Sequence, residues 1–448
     1  MTRSSRGRRL DRRRFLAASS ATGLALLAGC TDRIPIIGDS RQMLDGDALS
    51  AIADEEPPTV PETFPVDIEA SFTEQHRTAA QSKLDSVPAP FDDTEIPNGV
   101  IRERLNDDYD YARESLQQAD AAQTPYSRLE HTTRARATSR QLQAAWGAIE
   151  SDLTRSDLEA EVPQIEDDLD AFVSGWSYVG DDPVRAAVVH AEIEGEIRGS
   201  RRWLAIHPEE YASASGQSLE LGEMASDLEY ARVSVAVASY FFDRFRGDLG
   251  EQVDQESRFE RARRKLRERL QQEAGSLPRE DIDDPTEFVD RDVDETAGIR
   301  ALAELARDAR RRVDDTDGSD DGPRLAIELL LASRALAHLE AYQSLRERIE
   351  NGDDVAIDDA EDVTALRSDA VAAIEGAREA EQGQLLVRAT LPRFANEIRW
   401  ADERFADLSG SVSAESVTYD AVDYVVVAEL CRALPSASAD VAAVLRES

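Results

Sequence analysis

The sequence predicts an all-α fold. Three observations carry this expectation: apolar residues recur at helical spacing along most of the chain, strictly alternating Val, Ile and Thr runs are scarce, and prolines fall near the ends of the periodic stretches. About twelve helices are expected, in two tandem helical-bundle units produced by duplication, residues 66–250 and 251–448. Two segments of different character precede them, residues 1–29 and 30–65.

Residues Met1 to Arg14 contain seven arginines against one acid, Asp11, and Phe15 to Gly29 carry no charge. That uncharged stretch is shorter than the ~20 residues a membrane span needs, so it reads as the core of a signal peptide and not as an anchor. Arg12-Arg13-Arg14-Phe15-Leu16 resembles the twin-arginine export signal through Arg12, Arg13, Phe15 and Leu16, and Leu27-Ala28-Gly29-Cys30 resembles a lipobox. The resemblance covers residues 1–30 alone. It implies passage through the twin-arginine export machinery, removal of residues 1–29, lipidation of Cys30 and a lipid anchor in the outer face of the cell membrane. Thr31 to Pro65, rich in Asp, Pro, Gly and Ser, has no persistent periodicity and is expected to be a flexible stalk.

Beyond the stalk, Ile101, Leu105, Tyr109, Ala112 and Leu116 step by four, four, three and four, which places one apolar stripe on a helix. Ser218 to Leu249 carries another, through Leu228, Ala231, Val235, Ala238 and Phe242. The pattern returns at Leu325, Leu329, Ala332, Leu336 and Leu339, and at Leu366, Ala370, Ala373 and Ala377. Pro88, Pro125, Pro183, Pro278, Pro323, Pro392 and Pro435 are expected at or near helix starts and stops. Val233 to Val237, the most strand-like run, sits inside a helical pattern.

Internal matches suggest the duplication. Ser86-Val87-Pro88 resembles Ser276-Leu277-Pro278, Pro125 and Pro323 each open a long helix, Glu196-Ile197-Arg198 matches Glu397-Ile398-Arg399, and Glu229-Tyr230 resembles Asp423-Tyr424. The offsets, 190, about 200, 201 and 194, drift as two copies with small insertions would.

The chain has 52 basic and 91 acidic residues, a net charge of −39. Without residues 1–29 it keeps 45 basic and 90 acidic residues, a charge of −45. Such a surface repels nucleic acid and anionic lipid headgroups, so neither DNA nor RNA is an expected partner. Only two of the basic residues are lysines, Lys83 and Lys265. Acid excess with so little lysine resembles the proteins of salt-in halophilic archaea, where molar salt shortens the Debye length to ~3 Å and screens the repulsion. With Cys30 acylated, Cys431 has no partner for an internal disulfide, and its Val-rich surroundings suggest a small buried side chain.

Chemical motifs are scarce. No E-x-x-H step precedes any of the five histidines, and H-E-x-x-H, C-x-x-C, G-x-S-x-G and Walker sequences are missing. His190 and Glu194, four apart with Glu192 and Glu196 beside them, offer a weak metal pair, but an ordinary exposed or half-buried histidine is the expectation. Duplicated helical lipoproteins of the imelysin type are similar in broad layout, yet their G-x-H-x-x-E motif is missing here, since Ile193 stands three after His190. No catalytic, metal or cofactor residue is therefore expected. Trp146, Trp176, Tyr178, Trp203 and Trp400 are expected as helix-packing anchors. A cleft between the copies would be lined by Arg198, Arg399, Trp203 and Trp400, with each arginine equally able to neutralise Glu196 or Glu397. The expected function is a surface-tethered helical lipoprotein that binds a partner or joins an envelope assembly. The alternatives are a small-solute or metal binding protein serving a membrane transporter, and a hydrolase with a dispersed carboxylate site.

Overall fold

In the computed structural model, which describes residues 42–205, 217–278, 282, 284–315, 324–381 and 383–448, the apolar stripes are helices. A short strand β1 (Met43–Asp45), the helix α1 (Gly46–Ser50) and a 3-10 turn (Ala51–Asp54) come first. Then follow α2 (Ala70–Leu84), α3 (Gly99–Ala121), α4 (Pro125–Glu150), α5 (Arg155–Glu159), α6 (Val162–Gly175), β2 (Val179–Gly180), α7 (Pro183–Leu204) and α8 (Gln217–Asp248). The strand β3 (Val253–Asp254) leads into α9 (Glu256–Ala274), α10 (Ala297–Asp315), α11 (Leu325–Glu350), α12 (Ala360–Glu379), α13 (Gln384–Phe405), β4 (Ser411–Ser413) and α14 (Ala414–Glu447). Twelve of these helices have fourteen residues or more. The fold is all-α.

Local chemistry starts the helices where the sequence suggests. Thr124 caps α4 with Pro125 in its first turn, and Asp182 caps α7 ahead of Pro183. Asp359 and Asp362 form a reciprocal capping box on α12. Pro392 and Pro435 depart from expectation, because they lie inside α13 and α14. Each removes one backbone hydrogen bond, but the residues around them, Leu391 and Phe394, and Leu434 and Ala437, are buried. Packing on both sides of the break holds the helix direction.

Among residues 70–248, α4 packs along α2, α3 and α8, and α8 lies on α4 and α7. Among residues 256–447, α11 packs on α9 and α10, and α14 on α10, α11, α12 and α13. The two sets meet through α7 and α11. One apolar cluster runs through the junction, from Val184 and Phe241 to Leu336 and Leu445. A smaller cluster under α3 holds Leu105, Ala112 and Leu142, with Trp146 tilted against Phe91.

Residues 42–65 are not the free stalk expected from their composition. β1 pairs antiparallel with β4, Met43 facing Ser413, and Gln42 Nε2 donates to the Asp358 carbonyl. Leu44, Leu49 and Ile52 are buried, Leu49 at 0 % exposure. The segment then crosses to the other set of helices, where Phe64 packs on Tyr126 and Phe241 and the Pro65 carbonyl accepts from Arg185 Nε. Composition misread this stretch because its few apolar residues follow no period. They fit surfaces built by residues far away in the sequence.

Candidate functional site

The junction is organised by α7. His190 and Glu194, one turn apart, face the same way, as the sequence predicts, but both are fully buried and the half-exposed histidine expected there is not found. Trp176 Nε1 donates to His190 Nδ1 at 3.1 Å, so the ring carries its proton on Nε2, which faces the Val179 carbonyl at 2.9 Å. Burial lowers the histidine pKa to about 4, leaving a neutral ring that clamps β2 onto α7. Gln255, just after β3, adds to this clamp by donating from its backbone N–H to Tyr178 O and from Nε2 to Gly180 O, both at 2.8 Å.

Glu194 reaches across the junction. Its carboxylate accepts from the backbone N–H groups of Ala326 at 3.0 Å and Ile327 at 2.7 Å, and from the Tyr178 hydroxyl. It therefore satisfies donors that the first turn of α11 leaves without helical partners. Burial still outweighs these bonds and raises its pKa to about 7. The pair is structural, and among the described residues no group of three or more His, Cys, Asp or Glu is placed to hold a metal ion.

Glu192 and Glu196 face away from Glu194, into a cavity of about 210 Å³ between α4, α7 and α8 that Tyr126, Glu130, Arg134 and Phe241 also line. Tyr126 donates to Glu192 at 2.8 Å. Burial, with Glu192 beside it, raises Glu196 to about 8, and burial and a hydrogen bond with Glu62 raise Glu130. Near neutral pH Glu130 and Glu196 hold protons and act as donors as well as acceptors.

A cluster of positive charge lies on the other side of α4. Glu229, 2 % exposed on α8, receives Arg136 Nε at 2.6 Å, Arg232 Nη1 at 2.7 Å and Lys83 Nζ at 3.2 Å. Glu161 takes Arg140 and the other end of Arg232, each at 2.7 Å. These groups line a hollow of about 500 Å³. Burial opposes ionisation of Glu229, but Arg136, Lys83 and Arg232 together outweigh it and bring its pKa to about 2. No spacing rule reveals this group, since its members come from separate helices. The one available signal was Lys83 itself, a rare lysine in a chain that otherwise uses arginine.

On α14, Glu429 is buried in the same manner and is held by Arg348 of α11 and by Arg432 three residues on, the latter at 2.7 Å. Arg432 also pairs with Asp369, and Arg348 with Asp353.

The four residues expected to line a cleft have different surroundings. Trp203 stacks on Tyr230 with ring centres 5.3 Å apart and packs with Leu158 and Leu228, while Trp400 is 57 % exposed and Arg399 beside it is exposed. Arg198 is half-buried on α7. Glu397 pairs with Arg393 at 3.0 Å, one turn earlier, in place of Arg399. Ile197 and Ile398, the middle residues of the two motifs, are both fully buried. Cys431 is 1 % exposed and burial pushes its thiol pKa up, so it is an inert core side chain. Cys30, Arg12, Arg13, Phe15 and Leu16 lie outside the described residues.

Two family models match the chain. Residues 71–252 match the one described as domain of unknown function DUF8262, and residues 256–443 the one described as domain of unknown function DUF8264. The matched ranges meet at β3, the strand that pairs with β2. No curated protein and no solved structure matches the chain.

Proposed function

We propose that this chain is a surface-tethered helical lipoprotein, held by a lipid on Cys30, that serves as a binding component of the cell envelope. The observation that carries the reading is the strap formed by residues 42–69. It begins against β4, ends on α2 and α8, and lies immediately after the segment that joins it to the lipobox. Only the stretch from Cys30 to Met43 is left as tether, ~45 Å at full extension, so a lipid at Cys30 would hold the helical body close to the membrane. Among the described residues no helix is long and apolar enough to cross a membrane, which fits an anchor supplied from outside the body.

The body is read as two diverged copies. Support comes from the burial pattern: Leu221 and Ala421, Ala225 and Val425, Leu228 and Ala428, Glu229 and Glu429, Ala231 and Cys431, Phe241 and Val441, and Phe245 and Leu445 are all buried, each pair 200 residues apart. Leu129, Ala135 and Leu142 on α4 correspond at the same offset to Leu329, Ala335 and Tyr342 on α11. This pairs Glu229 with Glu429, a better register than the offset of 194 suggested by Glu229-Tyr230 and Asp423-Tyr424. The matches to two different family models fit copies that have diverged.

Replacing Cys30 by serine in the native host is expected to move the protein from the detergent-dependent membrane fraction to the soluble one. Unchanged membrane fractionation would rule out the lipid tether. Crosslinking and pull-down in native salt separates the two forms of binding. A stoichiometric protein partner supports assembly, and a co-purifying small ligand supports the second reading, a solute-binding protein, which the hollow at Lys83 favours.

A further inference from the structure

Lys83, Arg136, Arg140 and Arg232 converge from α2, α4 and α8 on one hollow that contains only two carboxylates, Glu161 and Glu229. Both carboxylates are already engaged, Glu229 by three of the cations and Glu161 by two. Two positive charges remain uncompensated, in a chain whose net charge is −39. Lys83 uses one of its three N–H donors on Glu229, and its ammonium pKa is pushed down by burial in spite of that carboxylate.

The corresponding centre on α14 lacks this imbalance. Around Glu429 stand two cations, Arg348 and Arg432, and two further carboxylates, Asp353 and Asp369. The positive excess at Glu229 is therefore not a by-product of burying a glutamate on this face of the helix. The hollow, about 500 Å³ and open to solvent, has the size of a small-molecule site. Guanidinium forks on two helices with an ammonium opposite suit a compact dianion that presents several oxygens.

We propose that the hollow bounded by Lys83, Arg136, Arg140 and Arg232 binds a small oxyanion of charge −2, a phosphate-like ion or a short dicarboxylate. The proposal deepens the binding role proposed above, but its test does not involve the tether. The ligand neutralises the two uncompensated charges, and Glu161 and Glu229 keep the cations in place when it is absent.

Because the chain has only two lysines, Lys83 and Lys265, the full-length protein labelled with 13Cε-lysine should give two lysine side-chain resonances. Inorganic phosphate, sulfate and succinate are titrated separately at molar potassium chloride and constant ionic strength. The Lys83 resonance is expected to move and saturate with at least one of the three while Lys265, which bonds Ser448 and does not line the hollow, stays put. The anion that saturates at the lowest concentration identifies the class. Arg140→Gln is expected to raise the midpoint at least tenfold, with Arg232→Gln as the second variant should the first fail to unfold cooperatively. The proposal is overturned if the Lys83 resonance is indifferent to all three anions, if both lysines drift together without saturation, or if folded variants bind as the parent does.

Discussion

The carboxylate of Glu194, on α7, accepts a hydrogen bond from the backbone N–H of Ile327, 2.7 Å away in the first turn of α11. One glutamate thus caps a helix that belongs to the other family-matched region. Glu194→Ala leaves the Ala326 and Ile327 N–H groups without that acceptor and should cost about 1–3 kcal/mol. The measurement is a denaturant midpoint in native salt.

The same residue has a pH signature. Its folded pKa, raised by burial to about 7, lies above the unfolded value, so the folded state binds the proton more tightly. Its contribution to stability is fully present below the unfolded pKa near 4.5 and is lost as pH rises through 7. Glu194→Gln should flatten the stability profile between these two values.

Glu229 has the opposite sign. Its folded pKa of about 2 lies below the unfolded value of 4.5, so its contribution is present above 4.5 and lost as pH falls through 2. Glu229→Ala leaves Lys83, Arg136 and Arg232 crowded around an empty position and should cost about 3–5 kcal/mol. A loss below 1 kcal/mol in equilibrium unfolding would mean that the cations simply swing out to water.

Gly46 sits where a side chain does not fit. A Cβ there would lie 2.8 Å from the backbone carbon of Ser409, and the Gly46 N–H donates to the Gly410 carbonyl at 2.7 Å. Gly46→Ala should push β1 off β4 at a cost of about 1–3 kcal/mol. Hydrogen exchange of residues 43–52 should speed up, while that of α4 and α8 stays unchanged.

The helices were legible in the sequence because their signal is local. The stripe from Ile101 to Leu116 is α3, and the segment expected over Ser218 to Leu249 is α8, Gln217–Asp248. Pro392 and Pro435 lie inside helices, whereas a proline signals a break in isolation and says nothing of packing on either side. The strap was hidden for a related reason, since Met43 finds its partner at Ser413 and Gln42 at Asp358, and nothing near residue 43 announces either. The charged hollow draws on α2, α4 and α8, so only the folded chain brings Lys83 to Arg232. The sequence shows His190 and Glu194 as a pair one turn apart, but their use as packing and capping groups depends on Trp176 and on the start of α11.

With 90 acidic against 45 basic residues beyond residue 29, a net charge of −45, the body should depend on salt for its compactness. Lowering ionic strength from molar to ~0.1 M lengthens the Debye length from ~3 Å to ~10 Å, so the acidic surface repels itself over longer distances. The thermal midpoint is expected to fall progressively with potassium chloride concentration. An unchanged cooperative transition at low salt would contradict salt adaptation.

The tether is tested most directly by the intact mass of the protein extracted from membranes of its native host. The expected chain begins at Cys30 and is heavier than the bare polypeptide by the mass of a lipid, with the excess confined to the peptide containing Cys30. A chain that retains residues 1–29, or one that begins at Cys30 with an unmodified thiol, would contradict it.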